Sequence, residues 1–213
     1  MNAGAPLTPK LAGKFIVFDG PDGCGKSTQL ERFADHLRSQ GQQVVCARDP
    51  GGTAIGDRIR GVLLEHDLQT MDVRCETFLF MASRAQLTSE VIEPGLADNA
   101  VVLCDRFISS TYAYQGAAGY DLARLIEIGN MAIDDTWPDL TVVLDVCVEQ
   151  CFARIDRKRD AMESRPREFH ERVREVFLTL PTIYPKPVRI VDGRGSPDDV
   201  HARVVELMAH VDI

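Results

Sequence analysis

The chain lacks several features that would each have pointed to a different kind of protein. Its six cysteines, at 24, 46, 75, 104, 147 and 151, form no C-x-x-C pair, so neither a cysteine-framed zinc site nor a dithiol redox centre is written into it. Positive charge is in deficit: 24 Lys and Arg stand against 32 Asp and Glu, for a net charge of −8. That balance excludes a general nucleic-acid or membrane-binding surface, and any phosphate recognition must come from local arginines. No apolar run reaches transmembrane length. The first fourteen residues, with Pro6 and Pro9, hold no apolar signal core. Internal repeats, low-complexity tracts and interdomain linkers are also absent. What remains is a chain of 213 residues, 45% hydrophobic, large enough for one substantial core. Several cysteines sit inside apolar runs, as buried free thiols do. The expectation is a reduced, cytoplasmic, soluble protein with a loose tail over 1–14 and a single domain over 15–213.

The most informative segment is Gly20-Pro21-Asp22-Gly23-Cys24-Gly25-Lys26-Ser27, followed by Thr28, which reads G-x-x-x-x-G-K-S. It follows the apolar run 15–18 and opens a helical pattern from Lys26. Strand, glycine-rich loop and helix in that order are the setting of a phosphate-binding loop. Its glycines let backbone N–H groups turn toward a triphosphate at a helix N-terminus, where the dipole favours negative charge. Lys26 would then reach the outer phosphates and the Ser27 hydroxyl would hold Mg²⁺. A nucleoside triphosphate is the implied ligand.

Apolar runs without alternation at 15–18, 43–47, 100–104, 141–146 and 188–191 suggest strands buried on both faces. Between them lie helical patterns over 26–39, 55–65, 72–92, 122–133, 148–158, 167–180 and 198–210, which imply parallel crossovers. The expected architecture is a three-layer α/β domain of the P-loop NTPase kind. Its five-stranded parallel sheet would present ligands at the carboxyl ends of its strands.

Other residues gather around that expectation. Asp105 and Arg106 end the run 101–104; a carboxylate at a strand tip beside a phosphate loop commonly supports Mg²⁺, and the adjacent arginine can clamp a second phosphate. Arg48 and Asp49 end the second run in the same way, before the fixed turn Pro50-Gly51-Gly52. Asp49–Gly52 also fits the D-x-x-G of a hydrolytic GTPase, but no Asn-Lys-x-Asp guanine reader accompanies it. Phe80 and Arg84, four apart, share a helix face, where a ring could stack on a base and a guanidinium read its edge. The same spacing also suits plain core packing. Finally, 154–174 is dense in charge of both signs, as on a solvated helix face. Yet Arg157, Arg159 and Arg165 cluster where the helical pattern is weakest, and a basic loop there would act as a lid over 154–167.

These segments together resemble the thymidylate kinase family from about Phe15 to Met208. The matching pieces are GPDGCGKST, RDPGGT at 48–53, IGDRIRGVLL at 55–64, FLFMASRAQ at 78–86, DRFISSTYAYQG at 105–116, PDLTVVLDV at 138–146 and VDGRGSPDDV at 191–200. The D-R-x-x-x-S-x-x-A-Y-Q-G run with F-x-x-x-R is far more specific than the phosphate loop alone. The resemblance implies transfer of the γ-phosphoryl group of ATP, with Mg²⁺, to dTMP, giving dTDP and ADP on the way to dTTP. It implies that Asp22 holds the acceptor's 3′-hydroxyl and that Arg48 and Arg106 hold its phosphate, with Arg60 nearby. Phe80 stacks on thymine, Arg84 donates to its O4, Ser110 and Gln115 lie near N3 and the sugar, and Tyr114 crowds a ribose 2′-hydroxyl. Similar enzymes are homodimers through helices beside the acceptor site.

Two positions depart from the family's commoner pattern. Asp49 stands where Glu is more frequent, one methylene shorter, so its reach to Mg²⁺ or phosphate would need a water. Gly23 stands where one class of the family carries arginine, and similar enzymes without it take their catalytic arginine from the lid. The attacking phosphate oxygen is already ionised, so catalysis reduces to positioning and charge neutralisation by Lys26, Mg²⁺, Arg106 and the lid arginines. The alternatives are another P-loop nucleotide or deoxynucleoside kinase, or a P-loop switch without transferase activity. A nucleoside kinase would need a base beside the 5′-hydroxyl and no clamp for an acceptor phosphate, against which the Arg48 and Arg106 pair speaks; a switch without transferase activity lacks a reason for an intact Lys26, Ser27, Asp105 and Arg106.

Overall fold

The structure, a computed structural model, describes residues 11–65, 71–157 and 159–213. Among these, five strands form one parallel sheet in the order β2-β3-β1-β4-β5. They are β1 (Phe15–Asp19), β2 (Val44–Arg48), β3 (Val101–Asp105), β4 (Leu140–Asp145) and β5 (Val188–Asp192). Every residue of β1 and β3 is buried, the result of helices covering both faces. Alternation divides the core. Phe15, Val17, Val102 and Cys104 point to one side, with Phe107, Ile108 and Phe177. Ile16, Phe18, Val101 and Leu103 point to the other, with Phe33, Leu37 and Val204.

The helices are α1 (Lys26–Ser39), α2 (Ala54–Glu65), α3 (Val73–Leu87), α4 (Glu93–Ala97), α5 (Ile108–Ala117), α6 (Leu122–Ile133), α7 (Val148–Ala153), α8 (Arg167–Ile183) and α9 (Pro197–His210). Side-chain caps fix several starts. Asp72 accepts from the Arg74 N–H before α3, Asp121 from Arg124 before α6, and Ser196 and Asp199 form a reciprocal capping box before α9.

The strand expectations stand to within a residue, and most helices follow theirs. Four differences stand out. Helix α5 was absent from the sequence pattern because residues 108–115 are buried all round; a helix with no wet face has no 3.6-residue signature. The helix expected over 72–92 changes to a π turn at Thr88–Ile92 and then continues as α4. The one expected over 148–158 stops at Ala153, where Arg154 turns back to donate to the carbonyls of Cys24 (3.1 Å) and Gly193 (3.2 Å); Lys158 lies outside the described residues. The expected loose tail is packed over its described part. Leu11 is fully buried in the core, the Gly13 N–H donates to Asn99 O, and Lys14 pairs with Asp139 at 3.1 Å. Residues 1–10 lie outside the described residues.

Register brings the functional ends together. Asp105 of β3 lies beside Phe18 of β1 and Arg48 of β2, so Asp19, Arg48 and Asp105 emerge at one edge of the sheet. That edge, at the carboxyl ends of the strands, is where open α/β sheets bind ligands.

Candidate active site

The loop between β1 and α1 is shaped by close approach. Gly20 and Gly23 have φ of 132° and 82°. A Cβ at Gly20 would stand 2.6 Å from Leu144 O, and one at Gly23 would stand 2.2 Å from Cys151 O. Both positions therefore exclude side chains, through backbone conformation and contact alike. The arginine that one class of the family carries at Gly23 would not fit against α7 in this arrangement. Lys26 is buried, and its Nζ donates to Pro21 O at 3.3 Å and lies 3.8 Å from Asp22 Oδ1. The Ser27 hydroxyl donates to Asp105 Oδ2, while Asp105 Oδ1 is buried without a hydrogen-bond partner.

Cavities flank this loop on two sides, and Lys26 and Ser27 line both. One, of about 410 Å³, runs past Gly23, Thr28, Arg154, Gly193, Pro197 and Val200. The other, of about 490 Å³, is lined by Asp22, Arg48, Arg60, Asp105 and Arg106 and also by Phe80, Arg84, Thr111 and Gln115.

Arg106 is the hub of the second cavity. Its φ is 70°, a strained value for a residue with a Cβ, and its N–H donates to Phe18 O at 3.0 Å. The guanidinium donates to Ser110 Oγ (2.8 Å), Gly20 O (3.1 Å) and Asp19 Oδ1 (3.3 Å), and to Asp22 Oδ1. Tyr114 also donates to Asp22, at 2.6 Å. Burial alone would raise the Asp22 pKa, but Arg106 and Lys26 hold the carboxyl well below the usual range. Burial would likewise discharge Arg106; the surrounding carboxylates keep it cationic. Asp19 underlies the hub, fully buried and accepting from Ser109 (2.5 Å), Ser110 (2.7 Å) and the Gly20 N–H (2.9 Å). Arg60 donates to Pro50 O at 2.9 Å, and burial with the like charge of Arg48 lowers its pKa. Arginines crowded in this way form a cradle for an anion.

Arg84 is buried and pairs through Nε with Asp49 Oδ2 at 2.5 Å. Its other nitrogens donate to Phe107 O (3.2 Å) and Met81 Sδ (3.1 Å). Five N–H groups on three partners leave donors for a ligand. Asp49, expected to face metal or phosphate, is instead paired with Arg84, and burial raises its pKa. The shorter side chain is accommodated beneath the guanidinium.

The three arginines between α7 and α8 separate. Arg157 lines the cavity and forks onto Glu163 at 2.8 and 2.7 Å. Arg159 instead stacks on Phe152, 4.0 Å from its ring centre. Arg165 donates to Glu76 at 2.5 Å and covers the Phe169 ring at 4.6 Å. Of the metal residues expected, Ser27 and Asp105 meet while Asp49 is turned to Arg84. Among the described residues no group of three or more His, Cys, Asp or Glu side chains is placed to hold a metal by itself. The unpaired Asp105 oxygen beside Ser27 fits Mg²⁺, which takes most of its ligands from water and phosphate.

Sequence reasoning passed over Asp19, Glu76, Ser109 and Thr111. Asp19 ends a strand as Asp105 does, which was a usable signal. Thr111 was hidden by its neighbour Ser110; its buried hydroxyl lines the cavity without a partner.

A parallel sheet with a phosphate loop between two cavities, one of them rich in arginine, is the architecture of a P-loop kinase, which passes a phosphoryl group from one bound ligand to another. A family model described as thymidylate kinase matches residues 18–204. A thymidylate kinase of Exiguobacterium sp. strain AT1b is 42% identical over 199 residues, covering 92% of this chain and 94% of that protein. One from Geobacter sulfurreducens is 41% identical, covering 92% and 96%. The crystal structure of a thymidylate kinase from Ehrlichia chaffeensis superposes with a TM-score of 0.76 at 30% identity, covering 92% of this chain and 98% of that one. The chain belongs to the thymidylate kinase family.

Proposed function

We propose that the chain transfers the γ-phosphoryl group of ATP to the 5′-phosphate of dTMP, giving dTDP and ADP. One observation carries this reading: a single cavity is lined both by Arg48, Arg60 and Arg106, which can hold a phosphate, and by Phe80 and Arg84, which can take a base. Asp22 and Tyr114 line the same cavity; Asp22 would hold the sugar's 3′-hydroxyl and Tyr114 would fill the space beside C2′. Gly20 to Thr28 would cradle the ATP phosphates, and the cavity past Arg154 and Pro197 would take the rest of ATP. Ser27 and Asp105 would hold Mg²⁺, which supplies charge neutralisation at the phosphates. Lys26, which lines both cavities, and Arg106, which lines the arginine-rich one, would stabilise charge as it spreads in transfer. No general base is required, because the acceptor oxygen is already ionised.

The segment 154–167 serves as the lid, with Arg157 its catalytic arginine, because that side chain lines the cavity. Arg159 and Arg165 anchor the segment to Phe152 and Glu76. A homodimer is supported by the exposed apolar residues Ile55, Val62 and Phe78 on the packed pair α2 and α3. Six free cysteines suit the cytoplasm.

ADP release measured with dTMP, dUMP, ribo-TMP, dCMP and dGMP tests the reading. Turnover should depend on the acceptor and favour dTMP. Acceptor-independent ATP hydrolysis, or a preference for dGMP, would refute it.

A further inference from the structure

Glu76 of α3 is 1% exposed, yet both its oxygens are engaged. Oε1 accepts from Gln115 Nε2 at 2.7 Å, and Oε2 accepts from Arg165 Nη2 at 2.5 Å. A carboxylate paired with a guanidinium only accepts, so the Gln115 amide must turn its NH₂ group toward Glu76. Gln115 is itself buried and lines the same cavity as Phe80 and Arg84. Its carbonyl oxygen is then the polar atom left for a ligand, and among the described residues no donor reaches it. The nearby Thr111 hydroxyl can rotate to donate or accept, so it accepts either kind of base edge. A locked amide does not.

We propose that Glu76 is a positioning residue for base discrimination. By fixing the Gln115 carbonyl toward the cavity, it admits a pyrimidine with N–H at N3 and opposes one with a lone pair there. Arg165 ties the same carboxylate to the segment between α7 and α8, so base reading and lid placement share one buried anchor. This role rests on the cavity's being a pyrimidine nucleotide site.

The test is kcat/KM for dTMP, N3-methyl-dTMP and dCMP in wild type, Glu76→Gln, Glu76→Asp, Gln115→Ala and the Glu76→Gln/Gln115→Ala double variant, with urea midpoints to establish folding. Wild type should prefer dTMP over both other acceptors by about tenfold to a hundredfold, the discrimination set by an unpaired buried polar group. Glu76→Gln, whose amide can donate as well as accept, should shrink both ratios by about tenfold, mainly through acceptor KM. In the Gln115→Ala background the same change should shrink them no further, because Glu76 acts through Gln115. Glu76→Asp keeps a charge for Arg165 and should give a smaller loss. Arg165→Gln, at a partly exposed position outside the core, should shift the ratios in the same direction should the buried variants not fold. Folded variants with wild-type ratios, or equal losses with and without Gln115, would overturn the role of Glu76 alone. A wild-type enzyme that turns over no pyrimidine monophosphate would overturn the underlying reading and this role with it.

Discussion

The buried pair between Arg84 and Asp49 offers a sharp test, because one substitution should be seen in both stability and kinetics. The two side chains are 1% and 0% exposed, so neither water nor salt screens them as at a surface. Arg84→Leu removes the cation and leaves Asp49 buried with its other oxygen already unpartnered. Breaking such a pair from one side costs about 3–5 kcal/mol. With a urea m-value of about 2–3 kcal/mol/M for a chain of this size, the unfolding midpoint should fall by roughly 1–2.5 M. Asp49→Asn keeps an acceptor for Arg84 Nε and should cost less, about 1.5–3 kcal/mol, the range of a hydrogen bond to a charged group. The double variant leaves no lone buried charge, so its loss should fall short of the sum by at least about 1 kcal/mol. The kinetic half follows from the donors left on Arg84. Losing the contact to thymine O4 should raise KM for dTMP by about tenfold to a hundredfold. Urea melts of the four proteins and initial rates over a dTMP series suffice. A midpoint shift below about 0.3 M, or strict additivity in the double variant, would refute the electrostatic account of this pair. Unchanged dTMP kinetics in a folded Arg84→Leu enzyme would leave Arg84 as core alone.

Other outcomes follow from the same geometry. The Asp22 pKa is depressed in the fold from 3.8, so its stabilisation is complete above that value and is lost as pH falls through the folded value. The unfolding free-energy difference between wild type and Asp22→Asn should therefore hold steady from pH 8 to about 5 and shrink progressively below about pH 4; a flat difference to pH 2 would contradict this. Among the lid arginines, Arg157→Ala should lower kcat by about 10²-fold or more, whereas Arg159→Ala and Arg165→Ala should act more weakly, since only Arg157 lines the cavity; single-turnover rates decide it. Native alkylation with iodoacetamide at pH 8 should modify the exposed Cys46 and Cys75. Cys24, Cys104 and Cys151 should remain protected, because burial pushes their thiols up, that of Cys151 to about 12. Mass spectrometry that finds Cys151 labelled before Cys75 would count against that burial.

Much of this protein is legible in its sequence. The five apolar runs fixed the parallel sheet because strands buried on both faces need continuous apolar sequence. The phosphate loop was legible because its glycines answer to local backbone geometry, and the ends of β2 and β3 marked Arg48, Asp105 and Arg106. These are properties of a few residues in a row, and a sequence records them directly. What the sequence left open was decided by contact across long separations. Helix α5 is uniformly buried, so no wet face betrayed it. Asp49 reaches Arg84 across 35 residues and Arg165 reaches Glu76 across 89. Arg157, Arg159 and Arg165 look alike along the chain, and only packing sends one to the cavity, one to Phe152 and one to Glu76. A charged side chain announces that it needs a partner but not which partner. That choice belongs to the tertiary fold, because the cost of burying a charge is set by whatever the fold brings beside it.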